Sequence, residues 1–135
     1  MALDQLTKAW AVRALDDESV DLVWTLRLRL SFNSGAAFGL GRGLGPLLVA
    51  GAVLLLAVLL VVGTRSVETP WAAVGLGLLV GGAVGNLADR LVGGHGGAVV
   101  DFIDLQWWPA FNVADAAITC GAVLLVVGQR WKAPA

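Results

Sequence analysis

Asp101 and Asp115 stand fourteen positions apart in the stretch VVDFIDLQWWPAFNVADAAI, at the mouth of an apolar segment in a chain nearly devoid of charge at membrane depth. An ionisable side chain at that depth is costly enough to mark a functional site. Two carboxylates held together do not both ionise easily, so one keeps a proton and can polarise a carbonyl while the other takes a proton from water. That is the chemistry of an aspartic hydrolase.

Other polar residues fall into register with this pair. Asn86 and Asp89 are three apart at the end of one apolar segment, and Asn112 and Asp115 repeat the spacing at the start of the next. Residues three apart share a helix face, so two helices each offer an Asn-x-x-Asp face at one membrane boundary. Arg90 follows Asp89 directly, and the two read either as an ion pair that positions the helix end or as part of the polar site. Asp104 reads as solvated, and His95, alone in GGHGG, as a loop residue. One His and one Cys cannot assemble a zinc site, so no metal and no cofactor are expected. Cys120, within an apolar run, reads as a small buried hydrophobe. Gly-x-Ser-x-Gly is absent, which leaves a serine nucleophile without support.

The elements that must position these residues are membrane helices. Hydrophobic residues make up 58% of the 135 positions and charged ones 14%. Mean hydropathy is +0.81. The net charge of −1, with scattered basic residues, offers no footprint for nucleic acid. Leu44 to Gly63 runs without a charge for about 30 Å of helix, one hydrocarbon core. Trp71 to Ala88 is a second span, with Gly77, Gly81 and Gly85 at four-residue steps predicted to form a close-packing face. Phe111 to Gly128 is a third. Leu3 to Leu15 is helical in period but too short to cross alone, and Asp4 within it is expected toward the cytoplasmic half of the bundle. MALDQLTKAWAVRAL lacks the pattern of a cleavable signal peptide, so insertion is expected to rely on internal spans.

Leu22 to Phe32 alternates with period two and reads as one half-buried strand, and the turn residues of NSGAAFGLGRG after it point to a small sheet or hairpin at the membrane interface. The Leu91 to Trp108 segment is predicted to carry a short surface helix, with Trp107 and Trp108 in an interfacial belt. Three spans plus the first helix make four crossings, which places the strand and Asp101 on one side and both termini on the other. Arg130 and Lys132 favour a cytoplasmic C-terminus, while Arg27, Arg29 and Arg42 offset Asp16, Asp17, Glu18 and Asp21 in the opposite loop. Without internal repeats, residues 1–135 form a single domain.

DQLTK at 4 to 8, NSGAAFG at 33 to 39, GNLADR at 85 to 90, VVDF at 99 to 102 and FNVADAAI at 111 to 118 resemble, in order, the motifs of lipoprotein signal peptidase, signal peptidase II. The resemblance implies an all-α membrane protein, a four-transmembrane-helix bundle with a small β cradle on the extracytoplasmic side of the bacterial plasma (inner) membrane. It implies a multi-pass aspartic endopeptidase that cuts diacylglyceryl-modified prolipoproteins before the lipidated cysteine. Asp101 and Asp115 would be its catalytic pair. Asn33, Asn86, Arg90 and Asn112 would bind substrate, and Asp4 and Asp89 would support the site. Lipidated prolipoproteins and membrane lipids are the implied partners of a monomer. Family members carry a complete first span, whereas only Met1, Ala2 and Leu3 precede Asp4 here, which implies a late start or a truncation. A small transporter would use the same aspartates as a proton relay, but these cluster at one boundary and no span is broken at its middle by proline. A structural assembly factor built on the glycine face would tolerate Asp115→Asn.

Overall fold

The computed structural model describes residues 1–16, 18–35 and 45–129. Outside these lie Asp17, residues 36–39 of the NSGAAFG motif, Arg42, Leu44, Arg130 and Lys132, with whatever their positions imply for the loops and the tail.

Four helices and three strands follow one another as α1 (Ala2–Ala14), β1 (Val20–Val23), β2 (Leu26–Asn33), α2 (Gly45–Ser66), α3 (Pro70–Val92), β3 (Val99–Asp104) and α4 (Val113–Gly128). The helices match the apolar segments of the sequence. Among the described residues α3, at 23 residues with mean hydropathy 1.6, is the helix long and apolar enough to cross a membrane. The apolar stretches Gly45–Val61 and Val113–Gly128 are shorter. Burial runs opposite to the pattern of a water-soluble bundle. In α1 the buried face is Asp4, Lys8 and Ala11, at i, i+4 and i+7, while Leu3, Leu6 and Trp10 face outward. Leu54, Leu55 and Val61 of α2 and Val123 and Val126 of α4 are likewise exposed.

Helices α3 and α4 are antiparallel and meet backbone to backbone. A Cβ built on Gly75 would lie 2.5 Å from the Leu125 nitrogen, and one on Gly82 would lie 2.5 Å from the Ala114 oxygen. Gly121 and Gly128 return the contact from α4. The packing face is therefore Gly75 and Gly82, a seven-residue step, with Gly85 against Asp4 and Ala114. This corrects the expected Gly77/Gly81/Gly85 face, because a Cβ on Gly77 would have open space around it. At the far end Thr69 caps α3 through the Ala72 N–H at 3.1 Å and donates its hydroxyl to Gly128 O at 2.8 Å, which ties the start of α3 to the end of α4.

The sheet has order β1-β2-β3, antiparallel throughout. The alternating segment is not one strand: the chain turns at Trp24 (φ 56°) and Thr25, so β1 and β2 form a hairpin. Trp24 at its tip is 96% exposed. The expected surface helix before Trp107 is also corrected, since β3 occupies that segment and pairs with β2, Ser31 opposite Asp101 and Arg27 opposite Asp104. Phe111 closes the sheet's edge through backbone hydrogen bonds with Phe102 and Ile103. A small core of Ala11, Leu15 and Phe102, flanked by Leu28, Leu30 and Val113, seats the sheet on the end of α1. The alternating segment and the Asp101 segment thus belong to one sheet.

Candidate active site

The site forms where β3 ends against the N-terminus of α4. Asn112 is the N-cap of α4, its Oδ1 accepting the Asp115 N–H at 3.0 Å. Asp115 Oδ2 accepts the Asn112 N–H in return at 3.2 Å, a reciprocal capping box. The cap therefore fixes Asp115 in the first turn, where a carboxylate is also favoured by the helix dipole. The same Asn112 reaches across to β3. Its Nδ2 donates to Asp101 Oδ1 at 2.7 Å and lies 3.2 Å from both Val100 O and Asn86 Oδ1. One residue, fully buried, thus contacts both carboxylates.

Asn86 of α3 supplies the other half. Its Nδ2 donates to Asp115 Oδ1 at 2.8 Å and its Oδ1 accepts from Lys8 Nζ at 2.9 Å. Asn33, at the end of β2, adds a side-chain hydrogen bond to Asp101. Asp101 lies outside the helices and is 2% exposed. Burial pushes its carboxyl up to about 6 from 3.8; the Asn33 hydrogen bond pulls down, the Asp115 charge pushes up again, and the Asn112 bond and Lys8 charge pull down. An acid placed there holds its proton into the range where hydrolytic chemistry runs.

Asp4 and Asp89 stand behind this pair. Asp4 Oδ1 accepts the Ala114 N–H at 2.9 Å, next to Asp115, so Asp4 lies at the same end of the bundle as the carboxylate pair. That corrects its expected place in the opposite half. Asp89 Oδ2 accepts the Val100 N–H at 3.1 Å and so anchors β3 beside Asp101. Its ionic partner is Lys8, at 2.8 Å, not Arg90. Arg90 Nη1 instead donates to Gly97 O at 3.1 Å, in the glycine-rich loop. Asp104 is buried and paired with Arg27 Nη2 at 2.7 Å and Arg29 Nε at 3.4 Å, which corrects its reading as solvated. The Gln106 N–H at 2.7 Å, followed by Arg27, holds its carboxyl below the usual range. His95 packs its ring on Phe32 at 4.7 Å.

Two residues of the site carry no sequence-based expectation. Lys8, 3% exposed, lies one turn after Asp4, and Gln5 follows Asp4 directly. Gln5 Nε2 reaches Asp89 Oδ1 at 2.9 Å and Gly85 O at 3.1 Å. The i, i+4 spacing of Asp4 and Lys8 opposite Leu3, Leu6 and Trp10 carries the signal.

An apolar groove of about 470 Å³ opens beside Asp115, between Leu105, Trp107, Trp108 and Phe111 above and Thr119 and Cys120 below. Cys120 is exposed there, not buried as its apolar surroundings suggest. Among the described residues no three His, Cys, Asp or Glu side chains are placed to hold a metal ion. Two carboxyls joined through Asn112, one buried and one in the wall of an apolar groove, can promote addition of water to a carbonyl of a substrate with an apolar segment.

Residues 1–130 match the family described as signal peptidase (SPase) II. A lipoprotein signal peptidase of Rhodococcus jostii is 46% identical over 94% of this chain, which spans 66% of that relative, just under two thirds. One of Syntrophomonas wolfei is 45% identical over 93% of this chain and 83% of its own length. A solved structure titled as a bacterial membrane enzyme superposes with a TM-score of 0.83 at 27% identity, over 98% of this chain and 88% of that one. A second with a like title gives 0.79 at 26%, over 99% and 87%.

Proposed function

The chain belongs to the signal peptidase II family, and from that membership we propose that it is a membrane aspartic endopeptidase removing the signal peptide of diacylglyceryl-modified prolipoproteins just before the lipidated cysteine. The observation that carries the reading is the double contact of Asn112, which joins Asp101 to Asp115. In this mechanism Asp115 takes a proton from water as the water oxygen adds to the scissile carbonyl carbon. Asp101 donates its proton to the carbonyl oxygen. Collapse of the resulting diol returns a hydroxyl proton to Asp101, breaks the C–N bond, and the departing nitrogen takes the proton held by Asp115. The elevated carboxyl of Asp101 supports its role as the acid.

Substrate enters from the bilayer in this reading. The apolar groove beside Asp115 suits the acyl chains or the signal helix, with Asn33 and Arg90 addressing the peptide backbone while Asn86 and Asn112 hold the two carboxylates. Outward-facing apolar side chains on α1, α2 and α4 support a four-span, multi-pass protein of the bacterial inner membrane, a single domain acting as a monomer. The sheet then lies on the extracytoplasmic face, with Trp107 and Trp108 at headgroup level. Mass spectrometry of a diacylglyceryl-modified prolipoprotein incubated with the purified protein tests this. The expected products are a free signal peptide and a chain beginning at the lipidated cysteine. A cut elsewhere, or none, overturns the reading.

A further inference from the structure

Lys8 is an unusual residue to find enclosed, because a buried ammonium is tolerated only when its donors are all met. Its three N–H groups have three partners: Asp89 Oδ2 at 2.8 Å, Asn86 Oδ1 at 2.9 Å and Asp4 Oδ2 at 3.0 Å. Two of these are carboxylates that neutralise it. The third is a neutral amide, and that amide is the one that hydrogen-bonds Asp115.

An ammonium has no acceptor, so it settles which end of the Asn86 amide faces it. The oxygen must point to Lys8, and the Nδ2 is then left for Asp115 Oδ1 at 2.8 Å. The constraint propagates one step further. Asn86 Oδ1 also receives Asn112 Nδ2, so the Asn112 amide presents nitrogen toward Asp101 Oδ1 and oxygen toward the Asp115 N–H. With Lys8 in place the Asn86 nitrogen faces Asp115 and the Asn112 nitrogen faces Asp101, so both carboxylates receive a donor. Without it Asn86 could rotate its oxygen toward Asp115, setting acceptor against acceptor.

We infer that Lys8 is a positioning residue for hydrolysis: its ammonium sets the direction of the Asn86–Asn112 amide pair and thereby presents a hydrogen-bond donor to each of Asp101 and Asp115. This rests on the assignment of those two aspartates as the catalytic pair. Asp4 and Asp89 act one step further out, holding the ammonium.

The test is a kinetic double-mutant cycle in the full chain, in detergent, on a diacylglyceryl-modified prolipoprotein, with Lys8→Met, Asn86→Ala and their combination. Each single change should lower kcat by about tenfold to a hundredfold, the worth of one hydrogen bond to a charged group, with KM within about twofold. The double variant should fall no more than about threefold below Asn86→Ala, since Lys8 acts through that amide. Losses that multiply, or that appear in KM instead of kcat, overturn the inference. A merely structural lysine would give the multiplying result. If Lys8→Met does not fold because Asp4 and Asp89 are left unpaired, Lys8→Met/Asp4→Asn/Asp89→Asn replaces it. In that background Asn86→Ala should cost under about threefold, and its full native loss would overturn the inference. Asp115→Asn is run alongside: if it cleaves fully, the catalytic assignment fails, whereas an inactive Asp115→Asn with a multiplying cycle sinks the role of Lys8 alone.

Discussion

Two glycines of α3 five residues apart differ in what surrounds them, Gly82 facing α4 and Gly77 open space, and Gly82→Ala against Gly77→Ala exposes the difference. At Gly82 the added Cβ would lie 2.5 Å from Ala114 O, 2.7 Å from Ile118 Cγ1 and 3.3 Å from Ile118 N. Ile118 Cγ1 is bonded to a branched Cβ with little freedom to turn, and the Ala114 carbonyl belongs to the first turn of α4. To restore ordinary separation the start of α4 must retreat by roughly 1 Å, which forfeits part of the dispersion contact along the seam. Overpacking of this kind costs about 1–3 kcal/mol, against which the better helix propensity of alanine returns about 1 kcal/mol. The net loss, up to about 2 kcal/mol, corresponds to a midpoint lower by up to several degrees. Gly77→Ala meets open space, so only the propensity gain remains and the midpoint should rise by a few degrees. Activity should separate the two as well. Gly82 lies one turn before Asn86, and Ala114 is next to Asp115, so the retreat stretches the 2.8 Å bond between them. Cleavage by Gly82→Ala should fall about tenfold or more, and Gly77→Ala should keep native cleavage. Thermal melts in detergent and initial cleavage rates read both. Equal midpoints, or a stabilised Gly82→Ala, would refute the packing argument.

Further outcomes follow from the charges. Because Asp101 titrates near 6 when folded and near 3.8 when free, stability is highest below that window and is lost as pH rises through about 6. Asp101→Asn should abolish this dependence and melt higher than the native chain at pH 8, read by melts across pH 4 to 8. If Asp101 is the acid, kcat/KM should decline on the alkaline side as that carboxyl loses its proton, a limb visible in a pH–rate profile. Asp104→Asn removes the partner of Arg27 and Arg29 and should lower the midpoint by a few degrees, with the Asp104 contribution present at neutral pH and lost as acid protonates the carboxyl. Unlipidated precursor should be cut far more slowly than the diacylglyceryl form in a direct rate comparison, if the groove beside Asp115 takes the apolar part of the substrate.

Helices were legible because α2, α3 and α4 turn apolar side chains outward as well as inward, which leaves each as a long apolar run in the sequence. The sheet was less so. The alternation from Leu22 to Phe32 continues across Trp24 and Thr25, and only the pairing of Asp21 with Arg27 reveals the hairpin. β3 is buried along nearly its whole length, which erases the period-two signal and leaves VVDF looking like any apolar run. Its partner β2 lies some seventy residues away, beyond the reach of local pattern. The packing glycines follow the same logic: a seven-residue step and a four-residue step are both helical, and the position of α4 decides between them. Asp101, Asp115, Asn86 and Asn112 could be singled out because polar groups stand out against an apolar chain. Lys8 was hidden on a short helix whose polar side faces inward.

The proposed hydrolysis rests on Asp101 and Asp115 acting together. Its most direct measurement is the cleavage rate of a diacylglyceryl-modified prolipoprotein by purified native chain, Asp101→Asn and Asp115→Asn, each checked for an intact fold by its melt. Either asparagine leaves a hydrogen-bonding side chain in place but removes the shared proton chemistry, so both variants should be folded and without measurable cleavage. Native rates from either folded variant would contradict the account.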